Sequence, residues 1–382
     1  GLEIRFVDAG HLLGSSSIEM WVRDDDGTEV KLAFSGDIGP GNRPLIKDPE
    51  YIKDADYVIM ESTYGDRKHN TPPDFAIALA KVIKETLYER GGNLVVPAFS
   101  VGRTQEMLYF IRRIKSEHLL PEFENFEVYI DSPLAVEATS IFNKSVEECF
   151  DEDARALVQQ GINPIGFPGL KMAITSDESK MINFNDNPKV IISASGMCEA
   201  GRIRHHLKHN LWKPENTIVF VGYQAYGTLG RALVEGAKEV RLFSETIKVE
   251  ADVVRLEGMS GHADKKGLSV WAEAFKDQPE KFFIVHGEDE TCDNFAQYLE
   301  SECGRKAEAP YSGDIFDLAA GEWELRVAPK KVPESRKGTR RANAVFARLL
   351  AAGERLKSEG GANKDLARFA DQINALCDKW ER

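Results

Sequence analysis

Cysteine is scarce in this 382-residue chain: Cys149, Cys198, Cys292, Cys303 and Cys377 are scattered, with no CxxC pair among them. So odd and unpatterned a set excludes a disulfide framework and a cysteine zinc cage, and it predicts reduced thiols in a cytoplasmic protein. Long apolar runs are lacking too. Nothing approaches the roughly 18 to 20 residues that span a bilayer, so no transmembrane helix and no membrane partner are expected. The opening Gly-Leu-Glu-Ile-Arg is no signal peptide and reads at once as a strand, as though the chain begins mid-domain. Positive charge is in deficit, with a formal net charge of −13. That balance argues against indiscriminate nucleic-acid binding but leaves room for a local basic groove. No HxH or HExxH occurs, so any metal site must be assembled from distant segments.

What remains is ordinary for a globular protein of two or three domains, with 42% hydrophobic and 29% charged residues. Residues 3–9, 18–23 and 30–34 read as strands, and Tyr57–Met60 as a short apolar strand delivering Glu61. His11 follows Ala9-Gly10, Asp37 follows Ser35-Gly36, and Glu61 opens Glu-Ser-Thr-Tyr-Gly. Taken singly, Asp37 is a turn aspartate and His11 a loop histidine.

Near residue 71 the rhythm changes. Thr71-Pro72-Pro73-Asp74 starts a helix, apolar positions keep helical spacing to Leu87, and Gly91-Gly92 stops it. Strands at 93–98, 127–130, 189–194 and 217–222 are each followed by a loop and helical sequence. Such units in series predict a parallel, doubly wound sheet with ligands at the carboxyl ends of its strands. After Phe243 the alternation of Ile247, Val249, Ala251 and Val253 reads as a strand of the first domain resumed, followed by a helix at 266–275, a strand at 282–285 and a helix at 291–303. The expected divisions are 1–65, 66–243 (inserted), 244–327 and 328–382. The last comprises a basic linker at 329–341 and helices at about 339–357 and 363–381, either a packing hairpin or an RNA-contacting arm.

Two histidines and a carboxylate, His11, His286 and Asp37, have the chemistry to hold divalent metals that activate water. Glu61 and His262, the latter in Ser-Gly-His-Ala-Asp, suit orientation and proton transfer. Ser195-Gly196, at a strand end leading to a helix, offers backbone N–H groups to an anion. On that helix Arg202, His205, His206 and His209 recur at spacings of three to four, with Lys208 nearby. They form either a phosphate-binding face or a set that packs and caps the helix, with a His205–His209 metal pair a remote third reading. Tyr223, Tyr226 and Arg231 add groups suited to base stacking and phosphate contact.

Together these segments resemble the β-CASP branch of the metallo-β-lactamase superfamily, over about residues 3–290. The RNA-processing members, such as the cleavage and polyadenylation endonuclease and its bacterial and archaeal relatives, look closest. The resemblance implies an α/β fold: part of a metallo-β-lactamase αββα sandwich, an inserted doubly wound parallel-sheet β-CASP domain, and a C-terminal helical extension. Ala9-Gly-His11 resembles the third metal motif and Ser35-Gly-Asp37 the fourth, whose aspartate bridges two metals. Glu61 resembles motif A, His262 motif B (the general acid), and His286 motif C, a further metal ligand. Members acting on RNA carry histidine at motif C and DNA-processing members tend to carry valine, so His286 implies RNA, with single strands the expected substrate. The loops 195–202 and 222–231 match segments expected to hold the RNA backbone.

The implied activity is zinc-dependent phosphodiester hydrolysis of RNA, endo- or exonucleolytic, through water activated by two zinc ions. A non-catalytic RNA-binding subunit and a DNA-processing nuclease are the alternatives. The family's HxHxDH motif is absent from this sequence, leaving about half of a two-zinc site. The intact remaining motifs favour a piece of a longer protein over a truncated paralogue that binds without cutting. A homodimer formed through the inserted or C-terminal region is compatible with the sequence, which does not demand it.

Overall fold

In the computed structural model, residues 1–69, 74–256, 258–328 and 371 are described. The start of the first expected helix at Thr71–Pro73, the basic linker and, apart from residue 371, both C-terminal helices lie outside them. The chain divides into two compact units, residues 1–310 with 315–324, and residues 311–314 with 325–382. In the second, the Asp314 carboxylate accepts the N–H groups of Tyr311 and Val327 at 3.0 and 2.7 Å.

The first unit holds two six-stranded sheets. Strands β1 (Leu2–Asp8), β2 (Ser16–Arg23), β3 (Glu29–Phe34) and β4 (Tyr57–Glu61) open the first sheet. The chain then builds the second from β5 (Leu94–Pro97), β6 (Glu127–Ile130), β7 (Leu170–Met172), β8 (Lys189–Ser193) and β9 (Thr217–Phe220). A two-stranded ribbon, β10 (Glu239–Leu242) and β11 (Glu245–Lys248), precedes β12 (Asp252–Arg255). The first sheet resumes with β13 (Lys281–Val285) and β14 (Ala307–Glu308).

The first sheet runs β1-β2-β3-β4-β13-β14, antiparallel from β1 to β3 and parallel from β3 to β14. The second runs β12-β9-β5-β8-β6-β7 with every pair parallel. Period-two alternation decides which face each residue serves. Val58, Met60, Phe282 and Ile284 pack on helices Lys265–Glu273 and Asp289–Ser301 through Leu268, Trp271, Phe295 and Leu299. Tyr57 and Phe283 face the other way, against Phe316 and Trp323. The second sheet is apolar on both faces, as a helix-covered parallel sheet must be. Val96, Val190 and Ile192 meet helices Phe75–Ile83 and Arg103–Ser116, while Val95, Ile191 and Ile218 meet helix Ile203–Asn210.

Three details depart from expectation. The strand read from Ile247 to Val253 falls in two, and β12 pairs with β9, so the chain is still in the second sheet at Arg255, beyond the expected return at 244. Alternation has the same period in either sheet, so it could not tell them apart. Glu61 ends β4 rather than opening the loop after it. Helices Glu152–Gln159 and Ser176–Phe184, and the edge strand β7 between them, were not legible, their apolar patterns being short.

Candidate metal centre

The five motif residues converge at the ends of the first sheet's strands. The backbone brings them together first. The Gly39 N–H donates to the Ala9 carbonyl at 2.8 Å, and the Ala263 N–H to that of Ile38 at 2.7 Å, so the loops bearing His11, Asp37 and His262 lie edge to edge. A Cβ on Gly39 would sit 1.8 Å from the Gly10 carbonyl oxygen, an approach only glycine permits. On the far side β4 and β13 pair with Val285 opposite Glu61, which sets His286 one residue beyond the carboxylate.

Asp37 is the common member of two donor groups. Ligand atoms of His11, Asp37 and His262 lie within 4.8 Å of one another, as do those of Asp37, Glu61 and His286. His11 Nδ1 is 2.7 Å from the Gly261 carbonyl, so Nδ1 carries the proton and Nε2, 3.9 Å from Asp37, keeps a free lone pair. Burial is the main influence on His11 and lowers its pKa despite that bond, favouring the neutral imidazole a metal requires. The Nδ1 of His286 approaches Asp37 at 3.3 Å and Thr63 Oγ1 at 3.2 Å.

Glu61 is differently placed. It is 1% exposed, accepts the Ile38 N–H and the Thr63 hydroxyl (2.6 Å), and faces His262 Nδ1 at 3.1 Å. Burial alone would raise its pKa, but these donors outweigh it and the net shift is downward. Its oxygens are therefore committed to orienting neighbours. Burial likewise would lower His262, yet the hydrogen bond and charge of Glu61 prevail and its pKa is raised. The His262 carbonyl is held by His69 Nε2 at 3.1 Å, and the Tyr64 ring stands edge-on 6.1 Å from the imidazole. Thr63 and His69 escape sequence reasoning, because nothing local tells which polar side chain will turn back onto a strand end.

The residues expected to hold phosphate fare unevenly. Loops 195–202 and 222–231 are joined: Gln224 Nε2 donates to the Gly196 carbonyl at 3.0 Å, and the Gly230 N–H to that of Met197 at 3.1 Å. Tyr223 is exposed, and exposed Phe99 abuts Gly196, where a Cβ would meet its ring at 3.0 Å. His205 is at the surface, stacked on Phe243 with ring centroids 4.4 Å apart, while Arg231 pairs with Glu235 at 2.6 Å. His206 and Arg202 correct the expectation. His206 is fully buried between Asp131 (2.6 Å) and Asn183 (3.0 Å), so it meets no phosphate. Arg202 donates inward to Asp131 and to the carbonyls of Ala173 and Ile174. The Ser195 N–H is spent on the Ala200 carbonyl, and the helix starts only at Ile203, so Ser195-Gly196 is not that helix's anion-binding N-terminus.

A sheet interrupted by a parallel-sheet insertion, with a histidine–carboxylate cluster at its strand ends, defines a metallo-hydrolase architecture of the β-lactamase type. Residues 104–233 match the Beta-Casp domain, and residues 246–310 a Zn-dependent metallo-hydrolase RNA specificity domain. The chain is 36% identical to Ribonuclease TTHA0252 of Thermus thermophilus over 289 residues, 76% of this chain and 63% of that one. It is 34% identical to an RNase J-like protein of Methanocaldococcus jannaschii over 83% of this chain and 71% of that one. It is also 34% identical to transcription termination factor FttA of Methanosarcina mazei, over 77% of this chain and 46% of that one. The chain belongs to the β-CASP branch of the metallo-β-lactamase superfamily. It spans 63%, 71% and 46% of these three relatives. No helix among the described residues is long and apolar enough to cross a membrane.

Proposed function

We propose that the full-length protein is a cytoplasmic, zinc-dependent phosphodiester hydrolase that processes RNA. The observation carrying this reading is the Glu61–His262 pair set beside an aspartate shared by two donor groups. His11, Asp37 and His286 would hold zinc, which when bound would supply a water of lowered pKa and Lewis acidity toward a phosphoryl oxygen. Glu61 fixes the ring of His262 and favours its protonated form, so His262 holds the proton that the leaving oxygen takes up. Tyr223 and Phe99, at the strand ends of the second sheet, offer faces on which unpaired bases stack. A relative named as a ribonuclease and another as an RNase J-like protein support RNA over DNA, as does the RNA specificity domain containing both His262 and His286.

The test offers matched single-stranded RNA and DNA of one sequence to the full-length protein, before and after chelation and zinc return. Cleavage of RNA that disappears on chelation and recovers with zinc is expected. Preference for DNA, or cleavage indifferent to chelation, would overturn the reading.

A further inference from the structure

A buried charge cluster of no assigned role lies beside the metal centre. Glu106, on the first turns of helix Arg103–Ser116, accepts Arg43 Nε at 2.9 Å and a second Arg43 nitrogen on one oxygen, and Arg103 Nη1 at 2.8 Å on the other. Side-chain exposures are 10% for Arg43, 12% for Arg103 and 6% for Glu106. Burying three charges together is weak evidence for stability, since their desolvation offsets their attraction and apolar replacements of such triads are often neutral or better. What the guanidinium groups do with their remaining donors is more telling. Arg43 Nη1 donates to the His11 carbonyl at 2.6 Å and reaches that of Gly261 at 3.4 Å. Arg103 Nη2 donates to the Met259 carbonyl. These three carbonyls belong to the two segments that carry His11 and His262. The Gly261 oxygen is also the one that fixes the His11 tautomer. Beside the triad, Gly102 packs on Leu12, whose Cδ2 would lie 2.4 Å from any Cβ placed there.

We propose that Arg43, Glu106 and Arg103 are positioning residues: a strut by which the helix that follows β5 holds the His11 and His262 loops at their metal-competent separation. This rests on the metal-dependent reading above. Through the strut a shift of helix Arg103–Ser116 reaches both histidines by way of the backbone.

The decisive variant replaces all three charges by apolar residues in the full-length protein, Arg43→Met, Arg103→Met and Glu106→Leu. Zinc affinity is measured by chelator competition, alongside thermal unfolding and steady-state RNA cleavage. If the triad only pairs its own charges, all three readouts stay at wild-type values. The strut predicts a midpoint within about 4 °C of wild type. Zinc affinity and kcat should each fall about ten- to a hundredfold, with KM nearly unchanged. Wild-type zinc affinity in the triple variant overturns the proposal. Should that variant not fold, Arg43→Lys replaces it. Lysine keeps the charge, but its single nitrogen cannot span both Glu106 and the His11 carbonyl. A similar loss of zinc affinity is then expected, and an unchanged affinity is again fatal. A wild-type protein that binds zinc without cutting RNA would sink the proposed function while leaving the zinc comparison decisive for the strut.

Discussion

Replacing His262 by alanine separates two roles that its surroundings permit, proton donor and metal ligand. Its Nδ1 lies 3.1 Å from Glu61, while the ring also belongs with His11 and Asp37 in one donor group. Alanine leaves Glu61 with the Ile38 N–H and the Thr63 hydroxyl, so the buried carboxylate loses one charge-assisted partner of three. The cost to stability is on the order of 1–3 kcal/mol, which a domain of this size tolerates. Removing a positioned general acid should lower kcat by about 10² to 10⁴. The pH profile adds a second signature. A raised His262 pKa keeps the donor protonated above pH 6.5, so the wild-type rate should decline only through a limb at higher pH, and that limb should vanish in the variant. The matching stability contribution has the same sign: complete below 6.5, it is lost as pH rises through the folded value. The assay is single-turnover cleavage of end-labelled RNA by the full-length protein, with zinc counted per chain in parallel. Slow cleavage with full zinc is expected. Loss of zinc along with activity would make His262 a ligand and refute the proton-donor role, and cleavage within threefold of wild type would remove it from the mechanism.

Three further outcomes follow from the second sheet. Lys189 is fully buried, bonded to the Asn185 carbonyl at 2.5 Å and Asn93 Oδ1 at 3.3 Å, and burial pushes its pKa down to about 8. Carrying that proton costs the folded state about 3 kcal/mol below pH 8, relieved between pH 8 and 10.5. Lys189→Met should therefore raise the neutral-pH unfolding free energy by about 1 kcal/mol after its two lost hydrogen bonds, and flatten the alkaline rise; a destabilised variant would contradict this. Burial works to raise the Asp131 pKa, but bonds from His206, Ser179 and Arg202 bring it below the usual value, so its contribution is complete above pH 3.8 and lost as pH falls through the folded value. Asp131→Asn should cost about 3 kcal/mol in denaturant titrations and blunt that acid limb, with RNA affinity of the folded fraction unchanged. Tyr223→Ala should weaken single-stranded RNA binding by about 1–3 kcal/mol in fluorescence anisotropy, with zinc content intact; undiminished affinity would take Tyr223 out of the RNA path.

The site was more legible than its supports. His11, Asp37 and His286 each follow a strand end and Glu61 closes one, where short polar segments beside glycine betray a place at which the chain must turn, and those turns do meet. The helix at 203–210 was harder. Its spacing puts cations on one face, but period alone cannot say whether that face looks outward, and His206 belongs to the interior because Asp131 and Asn183 wait there on other elements. The Arg43–Glu106 bond spans 63 positions and leaves no local pattern at all. Nor could β12 be assigned to its sheet from alternation, since the partner strand, not the sequence period, decides membership.

The pairing of β4 with β13 has a bearing on how this architecture varies. Glu61 and His286 are 225 positions apart in sequence yet one hydrogen-bond register apart in space. Their separation is thus indexed by the ladder and is blind to contour length. Loops of the intervening chain can lengthen or shorten without altering that spacing, provided that its ends still return side by side. Only a slip of one rung, which would turn each strand's side chains to the opposite face, is forbidden.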